Sequence, residues 1–409
     1  MALLPVEEAL SRLLDGAGAL SPERVPISDA SGRVLAEPVK ALRTQPPFDC
    51  SAMDGYAVRA MDVADVPVKL TLIGTAAAGR GFNGTVGERE AVRILTGAPL
   101  PASADTIIIQ ENARRIDDRA IEVLETVAKG RHIRRRALDF AEGDILLEAG
   151  RELDAGALSL AASGNHAELD VVSRPLVAII ATGDELLPPG SEPGPDQIIA
   201  SNSYGVAAVA ASVGARVLYL GIVRDDAAAI REKLAVAAEA GADVIVTLGG
   251  ASIGDHDLVH QVLTGDGVQI DFWKIAMRPG KPLMFGRKGA TRFMGMPGNP
   301  VASLICAHIF LKPLVARLGG RTVEHDIRRA VLGAPLQAND LRQDYVRARL
   351  DYVQADLTRE EDTTLIATPF EVQDSSMLRT LAESRCLIIR EPFASAAETG
   401  ALCTVLILR

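Results

Sequence analysis

The sequence predicts a multidomain α/β protein in which a central parallel-sheet α/β domain accompanies a helical linker domain and two small β domains. Three observations support this class. From residue 174 onward, continuous apolar stretches alternate with helical stretches, the pattern of a parallel sheet buried on both faces. Short β-branched runs fill residues 56–136 and return after 323. At 409 residues the chain is also too long for one hydrophobic core.

The order of these segments predicts four domains. Residues 1–45 and 137–172 form an N-terminal helical linker domain, because "VEEALSRLLDGA" and the Ala-rich stretch at 155–166 both have helical character. Residues 46–136 form an inserted β domain that begins at two adjacent prolines, which exclude a helix there. The α/β domain covers 173–322, and a small C-terminal β-barrel domain covers 323–409.

Acidic and glycine-rich turns follow the predicted strands of the α/β domain. The acids are Glu185, Asp225 and Asp257, and the glycine-rich turn is "GGASIG" at 249–254. Ligands of an open parallel sheet collect beyond the carboxyl ends of its strands, so these turns are expected to converge. Clustered carboxylates favour a hard cation such as Mg²⁺, and exposed backbone N–H groups favour a phosphate or another oxyanion.

The same stretch, "LGGASIGDHDLVH", permits two other interpretations. Ser252 stands in a G-x-S-x-G pattern typical of serine hydrolases, but the sequence supplies no supported His partner or oxyanion loop. His256 and His260 have the spacing of a zinc-binding helix, but Asp257 replaces the usual Glu and no third ligand is evident. Asp225 also has a purely structural alternative, since Asp225 or Asp226 is suited to cap the following helix.

Composition excludes several partner classes. Lys and Arg total 43 against 53 Asp and Glu, a net charge of -10, which argues against binding to nucleic acid or to an anionic membrane. The N-terminus lacks the features of a signal peptide, and no apolar run suggests a membrane span. Four widely separated cysteines are typical of a reduced, cytoplasmic protein.

Seven ordered motifs resemble one known family over nearly the whole chain. They are "PPFDCSAMDGYAV", "ILTGAPLP", "ATGDEL", "GIVRDD", "LGGASIGDHD", "FWKIAMRPGKP" and "GMPGNPVAS". Their order and spacing are similar to those of molybdopterin molybdenumtransferases, the family of MoeA and the gephyrin E domain. The resemblance implies a central molybdopterin-binding domain similar to the molybdopterin adenylyltransferases.

The resemblance also implies an activity. Members of this family insert molybdenum from molybdate into adenylylated molybdopterin and release AMP and the molybdenum cofactor, with Mg²⁺. They are homodimers with a cleft between subunits, and molybdopterin adenylyltransferase and the proteins that mature molybdoenzymes are possible partners. Two alternatives remain open at this point: adenylylation of molybdopterin, and a non-catalytic scaffold like gephyrin.

The motifs place the family's functional residues on this sequence. The expected catalytic residues are Asp54, Thr96, Glu185, Asp225 and Asp257, of which Glu185, Asp225 and Asp257 are the expected metal ligands. The expected substrate-binding residues are Gly249, Gly250, Ser252, Gly254, Lys274, Arg278, Lys281, Pro297 and Pro300. One departure is Cys50, which stands where the family usually has Asn, so the hydrogen bonding of that loop is expected to differ.

Overall fold

The structure, a computed structural model, describes residues 3–249, 258–322, 324–354 and 363–408. The chain divides into two compact units. The core unit comprises Met1–Glu23, Gly32–Val34 and Val171–Arg409, and the insertion unit comprises Arg24–Ser31 and Leu35–Asp170.

The described residues form eight α-helices and 26 β-strands. The α-helices are α1 (Val6–Leu14), α2 (Ala155–Ser163), α3 (Asn202–Ala211), α4 (Ala227–Glu239), α5 (Leu258–Gly265), α6 (Pro300–Cys306), α7 (Lys312–Leu318) and α8 (Leu378–Glu383). The first strands are β1 (Pro22–Pro26), β2 (Val39–Lys40), β3 (Cys50–Ser51), β4 (Gly55–Val58), β5 (Val68–Ala76), β6 (Glu90–Ile94), β7 (Thr106–Ile109), β8 (Ala113–Arg115), β9 (Ala120–Val123), β10 (Ile133–Arg134), β11 (Ile145–Leu147) and β12 (Glu168–Val172). The later strands are β13 (Leu176–Thr182), β14 (Leu186–Leu187), β15 (Ile198–Ile199), β16 (Arg216–Val223), β17 (Val244–Leu248), β18 (Gln269–Phe272), β19 (Met277–Arg278), β20 (Met284–Lys288), β21 (Thr291–Met296), β22 (Ile327–Leu332), β23 (Gln343–Gln354), β24 (Thr363–Pro369), β25 (Cys386–Arg390) and β26 (Leu402–Ile407).

A six-stranded sheet in the order β16-β13-β17-β21-β20-β18 organises the core unit. Strands β16, β13, β17 and β21 are parallel, which confirms the predicted α/β class. The sheet is mixed rather than wholly parallel, because β20 and β18 join it antiparallel. Only Gly289 and Ala290 connect β20 to β21, and so short a loop can join only antiparallel neighbours.

The α/β region ends in one long apolar helical stretch. Helices α6 and α7 continue through a π-helical turn at Ala307–Leu311. The whole stretch, Pro300–Leu318, has the length and mean hydropathy of a membrane span, contrary to the expectation that no run does. Most of it is buried in the core unit, where it packs with the apolar faces of β13, β17 and β21.

The C-terminal part of the core unit is a closed β-barrel. Its strands follow the order β23-β24-β22-β26-β25, and β25 pairs back with β23 to close the ring. Alternating side chains of these strands, including Leu332, Leu350 and Ile388, fill its interior. Strand β19 of the α/β region adds to β23 in parallel, which ties the barrel to the α/β region.

The insertion unit is mainly β-structure. Its sheet has the order β7-β4-β6-β5-β9-β8 and packs apolar side chains such as Val58, Val92 and Ile107 on its two faces. Two short pairs, β3 with β10 and β2 with β11, accompany this sheet. Asp154 caps helix α2, since its carboxylate accepts a hydrogen bond from the N–H of Ala157 at 2.8 Å.

Candidate active site

Four strand ends of the core unit open into one recess of about 590 Å³. The turns after β13, β16, β17 and β21 contribute Glu185, Asp225, Gly249 and the segment from Pro297 to Pro300. This is the position at which parallel α/β sheets bind ligands. The structure thus brings five of the sequence-predicted site residues to a single cavity.

Asp225 and its neighbour Asp226 have different roles. Asp226 caps α4, since its carboxylate accepts a hydrogen bond from the N–H of Ala229 at 2.8 Å. Asp225 accepts a hydrogen bond from the backbone N–H of Asp184 and lines the recess. Burial, followed by repulsion from Asp184 and Glu185, raises the pKa of Asp225 above its ordinary value. The capping interpretation therefore belongs to Asp226, and Asp225 is left facing the other acids of the recess.

Gly249 occupies a position that excludes a side chain. Its φ of 93° lies in the left-handed region, and a Cβ there would stand 2.5 Å from the carbonyl oxygen of Thr182. The N–H of Gly249 donates to the carbonyl of Met296 at 3.2 Å, which ties the end of β17 to the end of β21. The glycine therefore allows the three strand ends to meet at the recess.

Gly249→Ala is expected to lower the free energy of unfolding by about 3 kcal/mol, since backbone strain and a close contact add. Gly241→Ala is the matched control: Gly241 has a φ of 74° but open space around its Cα, so strain alone should cost about 1 kcal/mol. Urea denaturation of both variants measures the difference. Equal losses would show that the contact with Thr182 is not restrictive.

Hydrogen bonds hold the turn after β21 in shape. Asn202 donates through Nδ2 to the carbonyl of Gly298 at 2.7 Å. The buried Ser303 hydroxyl donates to the carbonyl of Pro297. Pro300 stands in the first turn of α6, where its missing N–H costs no helical hydrogen bond. Sequence reasoning identified the two prolines but missed Asn202, because its role depends on a contact nearly a hundred residues away.

Two buried hydroxyl groups also border the recess. Thr182 is 3% exposed and Ser203 is 2% exposed, and both line the cavity. Within the described part of the chain, neither hydroxyl oxygen has a hydrogen-bond partner. Buried polar atoms without partners are uncommon in folded proteins, and both oxygens lie beneath the surface of the wall.

The three predicted substrate-binding cations do not lie at the recess with the acids that follow the strands. Lys274, Arg278 and Lys281 are not among the described residues that line the recess. The Lys274 ammonium lies 6.0 Å from the centre of the Trp273 ring. Arg278 lies on β19 and pairs with Asp344 and, at 3.3 Å, with Asp340, both of the barrel. The structure therefore shows Arg278 as a link to the barrel, and a role for these cations in substrate binding stays a prediction.

Part of the predicted glycine-rich turn lies outside the described residues. Gly250, Ser252, Gly254 and Asp257 belong to this part, as does His256 of the zinc interpretation. The other histidine of that interpretation, His260, lies on α5 and stacks on Trp273 with ring centres 4.1 Å apart. Among described residues, no group of three His, Cys, Asp or Glu side chains has the arrangement of a metal site.

Asp54 and Thr96 meet within the insertion unit. The backbone N–H and the hydroxyl of Thr96 donate to one carboxylate oxygen of Asp54, at 2.7 and 2.8 Å. These two bonds, with a further contribution from Arg93, lower the pKa of Asp54 below its ordinary value. Both side chains are exposed, so the unit presents a fixed, ionised carboxylate at its surface.

Thr96→Val is expected to raise the pKa of Asp54 toward its ordinary value without reaching it, because the backbone N–H still donates. Carbon-detected NMR titration of the Asp54 carboxyl group measures the change. Thr85→Val, at another exposed position of the same unit, is the control and should leave that pKa unchanged. An unshifted Asp54 in Thr96→Val would show that the hydroxyl contributes nothing to the ionised state.

Cys50 is a buried residue of β3. It is 5% exposed, and β3 pairs with β10 through Cys50 and Arg134. The neighbouring Asp49 carboxylate accepts hydrogen bonds from the N–H of Arg136 at 2.8 Å and the guanidinium of Arg135 at 2.6 Å. The loop thus gains polar contacts from Asp49, and the thiol of Cys50 is free and buried.

Comparison with known proteins agrees with this architecture. Residues 4–164 match the family described as MoeA N-terminal region (domain I and II), residues 178–317 match the Probable molybdopterin binding domain, and residues 329–408 match the MoeA C-terminal region (domain IV). A MoeA protein structure from Pyrococcus horikoshii superposes with a TM-score of 0.83 at 27% identity and covers 100% of both chains. The fold therefore defines a multidomain protein of the MoeA type, with a central mixed α/β domain and a C-terminal β-barrel.

Individual relatives narrow this class further. A molybdopterin molybdenumtransferase from Haemophilus influenzae is 31% identical over 404 residues, 98% of each chain. A protein of the same name from Nostoc is 38% identical over 305 residues, 73% of this chain and 70% of the relative. The chain belongs to the molybdopterin molybdenumtransferase family, enzymes of molybdenum cofactor biosynthesis. Membership in this family favours molybdopterin molybdenumtransferase activity over the adenylyltransferase and scaffold alternatives.

Proposed function

We propose that the protein inserts molybdenum from molybdate into adenylylated molybdopterin and releases AMP and the molybdenum cofactor, with Mg²⁺. The observation that carries the proposal is the recess itself. Its cavity of about 590 Å³ is lined by the exposed acids Glu185 and Asp225 and by Gly249, which has no side chain. The residues Thr182 and Ser203, with their buried hydroxyl groups, also line it. A cavity of this size accommodates a nucleotide-sized ligand. Because carboxylates repel a phosphate, the phosphate would bind beside these acids only together with a cation.

The donor set fits a magnesium ion. Glu185 and Asp225 supply carboxylate oxygens, and the pKa of Asp225 is raised by burial first and by repulsion from Asp184 and Glu185 second. Mg²⁺ is commonly bound by one or two carboxylates together with substrate phosphates, so a complete cage of protein ligands is not required. When bound, the ion would polarise the phosphoanhydride between pterin and adenylate. Asp257, outside the described residues, is proposed as a further ligand.

The remaining residues bind and orient the substrate. The strand end at Gly249 lets backbone approach the ligand closely, and Pro297 and Pro300 fix the opposite turn. Thr182 and Ser203 contribute to the wall of the recess. Water attacks the adenylate phosphorus, so that its oxygen ends on AMP and the bridging oxygen stays on the pterin phosphate. The two dithiolene sulfurs bind molybdenum in place of molybdate oxygen, which takes up the thiol protons and leaves as water.

We further propose that the protein is a homodimer in which Asp54 and Thr96 complete the recess of the partner subunit. The support is chemical: the Asp54 carboxylate is exposed, ionised and held by Thr96 within its own unit. A preorganised polar pair at a surface is suited to contact a ligand held by another surface. Molybdopterin adenylyltransferase, which would supply the adenylylated substrate, is the proposed functional partner.

The direct test incubates the purified protein with adenylylated molybdopterin, molybdate and Mg²⁺. We expect AMP release that depends on molybdate and a product that activates an apo-molybdoenzyme. A parallel reaction with molybdopterin and ATP tests the adenylyltransferase alternative, which predicts formation of the adenylylated pterin. Absence of turnover in both reactions would contradict the proposal and favour a scaffold.

A further inference from the structure

A loop of the C-terminal barrel reaches the recess. Residues 370–377 connect β24 to α8, and Ser376 of this loop lines the cavity together with the strand-end residues. The barrel therefore contributes a wall to a site that otherwise belongs to the α/β region. The placement of that wall depends on what holds the loop.

Gln373 fixes the loop to the barrel. Its Oε1 accepts hydrogen bonds from the backbone N–H of Arg347 at 3.0 Å and from Nε of Arg347 at 3.2 Å. Its Nε2 donates to the carbonyl oxygens of Arg347 at 3.0 Å and Phe370 at 2.8 Å. The side chain of Gln373 thus uses both its donor and its acceptor to anchor the loop on β23.

Arg347 extends this anchor toward the recess. It is 1% exposed, and its guanidinium donates to the carbonyl oxygen of Asp374 at 2.9 Å. The Asp374 carboxylate in turn accepts hydrogen bonds from the N–H and the hydroxyl of Ser376, at 2.8 and 2.5 Å. A continuous series of hydrogen bonds therefore runs from Gln373 through Arg347 and Asp374 to Ser376.

The other side of the loop contacts the turn after β21. Asn299 donates through Nδ2 to the hydroxyl of Ser375 at 3.0 Å, and the N–H of Val301 donates to the carbonyl of Ser375 at 3.0 Å. Asn299 itself lines the recess. The loop is thus bound to the barrel through Gln373 and to the α/β region through Ser375, so a shift at Gln373 is transmitted to the cavity wall.

We propose that Gln373 is a positioning residue that sets the substrate affinity of the recess by fixing the loop at residues 370–377. Gln373 is not among the described lining residues, so it acts through Ser375 and Ser376 rather than by direct contact. This inference rests on the proposed function for the identity of the substrate. It predicts an effect on binding that is separable from the chemical step.

Steady-state kinetics of the full-length Gln373→Leu variant test the inference. The KM for adenylylated molybdopterin is expected to rise roughly tenfold while kcat stays within about twofold, because loss of ground-state positioning acts mainly on binding. Gln373→Glu retains the acceptor for Arg347 and should give an intermediate KM. Gln337→Leu, the same exchange at an exposed position of the barrel, should leave both constants unchanged.

The outcomes separate the two proposals. A wild-type protein without turnover would overturn the proposed function, and the inference that rests on it. An active wild type with the same KM in Gln373→Leu would overturn the inference alone. A fall in kcat with unchanged KM would also overturn it. Circular dichroism melting shows whether each variant is folded at the assay temperature. If Gln373→Leu is unfolded, Gln373→Glu decides the test. The inference then requires a KM of Gln373→Glu above the wild-type KM.

Discussion

Asp225→Asn is expected to lower kcat/KM at least about a hundredfold, the size of effect seen when one polar group is removed from a preorganised catalytic site. The amide keeps the size and shape of the side chain but cannot carry the negative charge that a cation requires. The measurement is molybdate-dependent AMP release at saturating Mg²⁺. Turnover near the wild-type rate would remove Asp225 from the proposed machinery.

The adjacent residue provides a closely matched control. Asp226→Asn makes the same chemical exchange one position along the chain, and Asn caps helices about as well as Asp. Because Asp226 is bound to the N–H of Ala229, activity and melting temperature should both stay close to wild type. Equal losses in the two variants would indicate that the start of α4, rather than the Asp225 charge, determines activity.

The raised pKa of Asp225 gives the same substitution a signature in stability. A carboxyl group with a raised folded-state pKa holds its proton more tightly when folded, so ionisation above that pKa weakens the fold. Asp225→Asn should therefore melt at or above the wild-type temperature at neutral pH. This difference in melting temperature should vanish as pH falls below the ordinary pKa of an aspartate. There, Asp225 of the wild type is protonated in both the folded and the unfolded state. Melting curves from neutral to acidic pH measure it.

The features that the sequence predicted are those governed by local pattern and sheet topology. Continuous apolar strands indicated the parallel part of the sheet, and the rule that ligands bind beyond strand ends predicted that Glu185, Asp225 and Gly249 lie in one region. The antiparallel direction of strands β18 and β20 was not predicted, because short apolar strands have the same sequence periodicity in either direction.

Features that depend on distant contacts were not predictable. Asp225 and Asp226 satisfy the same capping pattern, and only the hydrogen bond to Ala229 distinguishes them. The pairing of Arg278 with Asp344 was not predicted, because Asp344 lies 66 residues further along the chain. The sequence did not indicate that Ser376 lines the recess, because a single serine belongs to no motif and lies there only through the position of the barrel loop.

Two inactive variants are expected to restore activity to each other if the active site is shared between subunits. Asp54→Ala and Glu185→Ala should each lose activity as purified homodimers, because each lacks an acid at every site. In a hybrid dimer, a shared arrangement places both substitutions at one site and leaves the other site intact. Random exchange of subunits makes half of the dimers hybrid, so a mixture should recover about a quarter of the wild-type activity. AMP release after unfolding and refolding the mixed chains measures the recovery.

The same mixture distinguishes a shared site from a site within one chain. If Asp54 served the recess of its own chain, every site of a hybrid dimer would carry one substitution and the mixture would remain inactive. Mixing Asp225→Asn with Glu185→Ala supplies the control, since both acids line one recess of the core unit and no hybrid can contain an intact pair. Recovery in the first mixture but not in the second requires that Asp54 act across the dimer. An exposed carboxylate that Thr96 already holds in its ionised form is suited to that role, because it need not reorganise when the partner's ligand arrives.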